Sequence, residues 1–525
     1  MPESLDLRTN AVPAVEREHL RAQPSTRSGV FEWSLFGLFA VLLALITSHH
    51  EMWRDEMQAW LIVRDNPSLR DLFHLLRYEG HPALWYLLLY IPARISWNPV
   101  SMQVINYVLA VAEAWLILSA RKLHWTVRAL AIWSFFVFYE YGAVARSYML
   151  AMLLLTAATR CFVGERQHRK LGILFLALAM NTHVLAIPTA AAIAVWAFCF
   201  SKVDSWKDAG KLVRDSEFRV AFLVLIASLG VAYLTVRPAP DVQVTNFAYD
   251  GQRHSMAYNL LLTEGRIWKA FIPIPPSYLP GGLGNRFEER GHISAPAVGL
   301  SLLLFLAIAG SLRTKQARYF FLAASTIVVV AIAATIHDPT IRHCGMVFAV
   351  LIVTLLLDAY VRPGKPDQRW FPRQIAVVVI SGILILQALP AIGAAALDWR
   401  RPFSDAKAAS LWLKQQGLDE NPLVIDGAEG LAVVGYMERP YAYQTSCACV
   451  ASYQVLNRRF NAERTATARD LALARGGSPL PVVVVHSNKM DDADARRLGL
   501  TEVHAFAPKA IVGEETFVIY EQQRQ

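Results

Sequence analysis

Charge is scarce in this sequence. Asp, Glu, Lys and Arg make up 18% of its 525 residues, against 54% hydrophobic residues. That balance excludes a disordered, self-repelling chain and argues against a row of soluble domains. Cysteine is sparse too. Cys161, Cys199 and Cys344 lie in or beside apolar runs and read as packing residues. Cys447 and Cys449, in TSCACV, have no second half that would complete a zinc site, and the five cysteines make no disulfide framework. No persuasive small-residue cleavage site follows the first apolar run, 31–48, so that run is expected to remain as an uncleaved span. The tail from 395 has no glycine-rich phosphate loop, and no internal repeat is evident. The net charge of +9 does not mark a nucleic-acid partner. Its basic residues fall mostly in short connectors (121–128, 160–170, 313–318, 361–373), which the positive-inside rule places in the cytoplasm.

Long apolar runs are what the sequence does have. Eleven can be marked: 31–48, 82–97, 104–120, 128–141, 145–160, 170–200, 218–236, 293–312, 319–336, 344–360 and 374–394. Several reach bilayer-spanning length. The expected fold class is an all-α polytopic membrane bundle of about eleven spans, with a small α/β domain outside the membrane at its C-terminal end. Two arrangements of the early segments are open. If 82–97 and 104–120 both span, the basic connector 121–128 lands outside. If 82–97 is short or re-entrant and 170–200 is a hairpin of two half-spans, every basic connector is inside. Pro82, Pro92 and the polar break at Asn181-Thr182-His183 suit the second.

Three parts follow: a cytoplasmic tail 1–30, a transmembrane domain 31–394 with outer loops 49–81 and 237–292, and an extracytoplasmic domain 395–525. The Pro- and Gly-rich loop 237–292 is too long for a connector and reads as a functional loop folded over the membrane surface. In the last part, 404–417 reads as an amphipathic helix capped by Ser404 or Asp405 and stopped at Gly417. The stretches 422–427, 481–487 and 516–522 read as strands.

The chemistry gathers on one face. HHEMWRDEMQAW, starting at 49, places Asp55 and Glu56 side by side where the first span surfaces. Trp53 and Trp60 are ordinary interface residues and Arg54 an ordinary anchor. Adjacent carboxylates at that depth are not ordinary: they repel each other and require a cation or an acid–base task. In RYEGHP, Glu79 and His81 open an apolar helix whose positive end, with Arg77, could hold a phosphate; a plain helix start explains the same residues. Glu140, Arg146 and Tyr148 sit between two apolar runs, where the charge rule does not ask for an arginine. HDPTIRH, 337–343, concentrates His337, Asp338, Arg342 and His343; its spacing suits an anion better than a metal. His183 reads equally as a buried histidine or as a partner of the helix break. One arrangement covers all of these: a carboxylate that takes a proton from an acceptor hydroxyl, and cations that hold a phosphate leaving group.

The order of a first span, WRDEMQAW, YEGHPALWYLLL and ARSYML resembles the GT-C membrane glycosyltransferases. The likeness is to the glycosyltransferase family 39-like branch, related to protein O-mannosyltransferases and the lipid A aminoarabinose transferase. It covers roughly residues 31–200 by motif and the other spans by architecture. The resemblance implies an inverting transfer of a sugar from a polyprenyl-phosphate donor to a lipid, glycan or protein acceptor at the outer face of a bacterial inner membrane, within the cell envelope. It implies Asp55 as the base with Glu56 as partner, and His81 and Arg146 near the carrier phosphate. Arg54, Glu79, Tyr148, His337, Arg342 and His343 complete the candidate binding set. Glu140 is the single acid near 140–150, where a second acidic motif is expected. Relatives differ over a divalent cation, so Mg or Mn stays open, and no metal ligands are assigned. The competing readings are an oligosaccharide or polymer transferase on the same scaffold, and a secondary transporter or lipid flippase.

Overall fold

The structure, a computed structural model, describes residues 26–164, 167–200, 214–242, 255–274, 292–336, 339–360, 367–437, 441–461, 464–507 and 509–523. Its first helix, α1 (Thr26–His49), carries apolar side chains outward, with Phe31, Leu38, Val41 and Leu45 all exposed. A surface of that kind belongs in lipid. Near the start of α1, Glu32 pairs with Arg128 at 2.9 Å. Its far end enters a group of polar residues, and this end defines the site face.

Helices α2 (Arg54–Asp65), α3 (Leu69–Glu79) and α4 (Leu84–Ile95) stay on the site face. Arg94 of α4 reaches back to the carbonyls of Val63 and Arg64 at the end of α2. At the start of α5 (Val100–Leu118), Gln103 donates to the carbonyls of Thr47 and His50 at 3.1 and 2.9 Å. Helix α4 therefore begins and ends on one face, as the re-entrant arrangement expects. The chain crosses through α5 and returns through α6 (Trp125–Ile132) and a π-helical turn, Phe135–Glu140. It crosses again in α7 (Ser147–Val163).

Helices α8 (Arg169–Met180) and α9 (Ala186–Val195) form a hairpin as expected, but each runs from one face to the other instead of making a half-span. Arg169, which opens α8, donates to the Ala197 carbonyl just past α9 at 3.2 Å. Helix α10 (Ser216–Val236) rises from a Glu217–Arg169 pair at 2.9 Å to Arg237, whose carbonyl accepts from Arg77 on the site face at 3.2 Å. Helix α11 (Met256–Ile267) packs against α12 (Ala295–Ser311) and α13 (Lys315–Thr335). Helices α14 (Ile341–Ala359) and α15 (Arg373–Arg400) complete the bundle.

Counting α6 with its π-turn as one, helices α1, α5 to α10 and α12 to α15 make eleven passes between the two faces among the described residues. Among the described residues, six helices are long and apolar enough to cross a membrane: 29–49, 100–118, 216–236, 315–335, 341–359 and 373–400. Three of the other passes are shorter apolar helices, Ser147–Val163, Ala186–Cys199 and Ala295–Ser311. The chain is an integral membrane protein.

Beyond α15 lies a smaller unit. After α16 (Ala406–Gln415) come β1 (Leu423–Asp426), α17 (Leu431–Tyr436), β2 (Ala442–Gln444) and β3 (Cys449–Ala451). Then follow α18 (Ala468–Arg475), β4 (Val483–Ser487), α19 (Asp492–Arg497), β5 (Leu500–Ala505) and β6 (Phe517–Gln522). The strand order is β3-β2-β1-β4-β6-β5. The centre, β2-β1-β4, is parallel, with Val424 opposite Val484, and the outer strands are antiparallel. Val482 to Val485 are buried without alternation, as a strand covered on both faces requires. Cys447 and Cys449 form a disulfide around Ala448, which is left-handed at φ 51°. Cysteine spacing did not lead us to expect that bond, because it closes only a hairpin tip rather than stapling a framework.

Candidate active site

The first turn of α2 sets the geometry. Its two acids suit a helix N-terminus, and residues i, i+3 and i+4 share a helix face. Asp55, Gln58 and Ala59 accordingly line one cavity of about 300 Å³. Glu56, one residue on, points about 100° away, into the core. Its adjacent carboxylates therefore have different surroundings.

Glu56 is fully buried. One oxygen accepts the Ala145 N–H at 2.6 Å, and the other meets His50 Nε2 at 3.0 Å. His50 Nδ1 lies 2.7 Å from Asp398, which also accepts from the Tyr139 hydroxyl at 3.0 Å. Burial works against a charged His50, but Asp398 and Glu56 beside it hold its pKa well above the ordinary value. This chain ties the end of α1, the start of α2, the 145–146 backbone and the end of α15 together. Glu56 thus does not reach the cavity as a second reacting carboxylate; it positions the backbone that carries Arg146.

Asp55 faces three guanidinium groups. Arg146 and Arg342 each stand 2.9 Å from Oδ2, and Arg54 is 3.5 Å from Oδ1. Burial alone would raise its pKa, but Arg342, Arg146 and Arg54 outweigh burial and hold the carboxyl well below the usual range. Arg342 also stacks over Trp53, 5.4 Å from the ring centre. Gly345, one turn further along α14, lets that helix press against the π-turn, where any Cβ would collide with Tyr141 and Phe136. That approach allows the Tyr141 hydroxyl to donate to the Arg342 carbonyl at 2.5 Å. Arg342 Nε has no partner among the described residues.

Helix α3 is capped at its start by Ser68, which accepts from Asp71 N–H, and at its end by Gly80 at φ 67°. The left-handed cap turns the chain so that Glu79 and His81 both line the cavity. Gln58 donates to Glu79 at 2.8 Å, and the Tyr86 hydroxyl is at 3.5 Å. Burial pushes the Glu79 carboxyl up to about 7. Burial, reinforced by Arg146 and Arg342, pushes His81 down to about 4. His81 is therefore a neutral ligand at pH 7, not one of the cations its position suggested. Its buried Nδ1 has no partner among the described residues.

The remaining candidates stand behind these. His183, in the α8–α9 break, lies between His81 and Tyr148, with ring centres 5.0 and 4.4 Å away; it is a partner of the break. Tyr148 is buried, stacks on Tyr141 and supports Arg146 from 5.6 Å. His343 sits 6.3 Å beyond Tyr148 and takes a hydrogen bond from the Thr340 N–H. Neither Tyr148 nor His343 lines the cavity. His337 lies outside the described residues, as do 243–254 and 275–291 of the loop expected to be functional.

The smaller unit closes the cavity, through Ala428, Gln454, Leu456 and Phe460. Gln58 donates to the Gln454 carbonyl at 2.7 Å and accepts its N–H at 3.0 Å. Glu429 pairs with Arg54 at 3.0 Å, and Glu515 accepts the Arg54 N–H at 2.9 Å. No sequence pattern pointed to these residues. Gln58 was legible, three residues after Asp55 on the same helix.

No group of three or more His, Cys, Asp or Glu residues among those described could hold a metal ion. The donor set at Asp55 is cationic, which suits an anion and not Mg or Mn.

Solved structures of ArnT from Cupriavidus metallidurans resemble this chain over 95% of its length and all of theirs, at 12% identity. The TM-score is 0.50 for the crystal structure bound to undecaprenyl phosphate and 0.54 for the apo state. No protein-family model and no curated protein sequence matches. The fold of this chain is therefore similar to that of the ArnT structures.

Proposed function

We propose that the protein is a glycosyltransferase that moves a sugar from a polyprenyl-phosphate donor to an acceptor hydroxyl on the site face. One observation carries the reading: Asp55, Arg146 and His81, whose Nδ1 has no partner among the described residues, line one cavity, and Arg342, outside the cavity wall, meets the same Asp55 oxygen as Arg146. The GT-C fold and the undecaprenyl phosphate bound to ArnT support it.

The chemistry is a single displacement. The acceptor oxygen attacks the anomeric carbon as the bond from that carbon to the phosphate oxygen breaks. The phosphate leaves with the electron pair, and the acceptor proton passes to Asp55. A phosphodiester competes with Asp55 for Arg146 and Arg342, and each guanidinium drawn toward phosphate restores proton affinity to Asp55. Donor binding thus prepares the base. His81, neutral beforehand, donates to the same phosphate. Binding of undecaprenyl phosphate should weaken by about ten- to a hundredfold in Arg342→Gln, the scale of one lost charge-assisted hydrogen bond. Unchanged binding would detach the phosphate from this cluster.

Glu79 carries a pH dependence. Its pKa is raised, so it is largely protonated below about 7 and becomes an anion beside the phosphate as pH rises through that value. Transfer should therefore fall on the alkaline side of about 7, and Glu79→Gln should flatten that limb. A pH profile of kcat that keeps the limb in the variant would contradict the role.

The site face is read as extracytoplasmic on two grounds. The Cys447–Cys449 disulfide belongs in an oxidising compartment. The arginines around Glu32, by contrast, lie on the opposite face, as a cytoplasmic side requires.

A further inference from the structure

A second cavity, of about 450 Å³, lies on the face opposite Asp55, where α1 begins and α5, α7 and α14 end. Its polar wall is Arg121, Lys122 and Arg160, and its apolar wall is Trp33, Trp115 and Tyr360. The cations exceed their counter-charge. Glu32 is the one carboxylate in the wall among the described residues, and it already meets Arg128 at 2.9 Å and Arg121 at 3.8 Å. Among the described residues, Lys122 meets only the Tyr360 ring, 4.8 Å away. Arg160 has the Tyr360 hydroxyl at 2.5 Å and the Ser119 carbonyl at 3.4 Å, both neutral. Trp33 and Trp115 stack at 4.7 Å, yet they are 59% and 40% exposed, so the cavity opens sideways between paired indoles.

Positive-inside placement explains why the residues are basic. Three helix C-termini explain why cations are tolerated there. Neither explains a concave volume with unmatched cations within and an aromatic rim at headgroup level. We propose that this cavity holds the phosphate headgroup of an anionic phospholipid from the leaflet opposite the Asp55 cavity. Arg121 and Lys122 meet the phosphate, and the glycerol and first acyl carbons lie against Trp33 and Trp115. The site is separate from the transfer chemistry and does not depend on it.

The test is native mass spectrometry of the full chain released from nanodiscs of mixed phosphatidylglycerol and phosphatidylcholine. The wild type should retain phosphatidylglycerol over phosphatidylcholine by about tenfold or more, the scale of two basic side chains at an anionic surface. The double variant Arg121→Gln, Lys122→Gln should lose most of that preference. Both residues lie far from the Asp55 cavity, so normal sugar transfer by the variant reports that it is folded. Equal retention of the two lipids by the wild type overturns the proposal without reference to any variant. So does an unchanged preference in a transfer-competent double variant. Displacement by dissolved glycerol phosphate would assign the cavity to a soluble ligand and also overturn it.

Discussion

Asp55→Asn should lower kcat for sugar transfer by about 10³-fold, within the range that a positioned general base contributes. The substitution keeps the shape of the side chain and removes its ability to take a proton. It should not weaken donor binding. Arg146 and Arg342 now meet Asp55 at 2.9 Å; without its charge both guanidinium groups are freer to meet a phosphate. The expected signature is thus a collapse of kcat with an unchanged or lower KM for the donor. A variant of a merely structural carboxylate would lose both together, or lose folded protein. Undiminished transfer would remove the base assignment and direct attention to Glu79, the other carboxyl in the cavity.

Glu56→Ala should produce the largest loss of stability. Glu56 and Asp398 flank a buried His50, and removing one partner of a buried pair costs about 3–5 kcal/mol. The Ala145 N–H also loses its acceptor. The expected result is a clear fall in the Tm of the purified protein in detergent. Glu56→Gln, which keeps an oxygen for Ala145, should fall less. An unchanged Tm in Glu56→Ala would mean that the chain from Glu56 to Tyr139 does not hold these elements together.

The contrast between Asp55 and Glu56 shows where sequence reading works and where it stops. That the pair needed cations was legible from two carboxylates at an interface, and Arg146 and Arg342 were among the residues singled out. Which acid faced the cavity depended on the helix phase from Arg54, a boundary that local sequence places poorly. The partner of Glu56 turned out to be His50, hidden in the first span's exit and read as part of the loop. Apolar runs gave the bundle because bilayer length is a composition signal. The hairpin at 170–200 was legible from its polar break for the same reason. The short strands β2, β3 and β5 were not: Val450 and Val503 are exposed, and Thr501 to Glu502 carry no buried alternation. Gln454 and Phe460 are ordinary residues until the sheet places them over Asp55.

His81 marks a different limit. Its position beside a helix start was readable, but its charge was not. Burial first, and then the arginines that gather at Asp55, keep the imidazole neutral, and those surroundings come only from the fold.

The most direct measurement is transfer of radiolabel from polyprenyl-phosphate sugars by the wild-type chain reconstituted in vesicles. The account predicts label in an acceptor, with free polyprenyl phosphate formed in equal amount and no dependence on a gradient across the membrane. No transfer from any lipid-linked sugar, together with flux of substrate across the vesicle membrane, would contradict it.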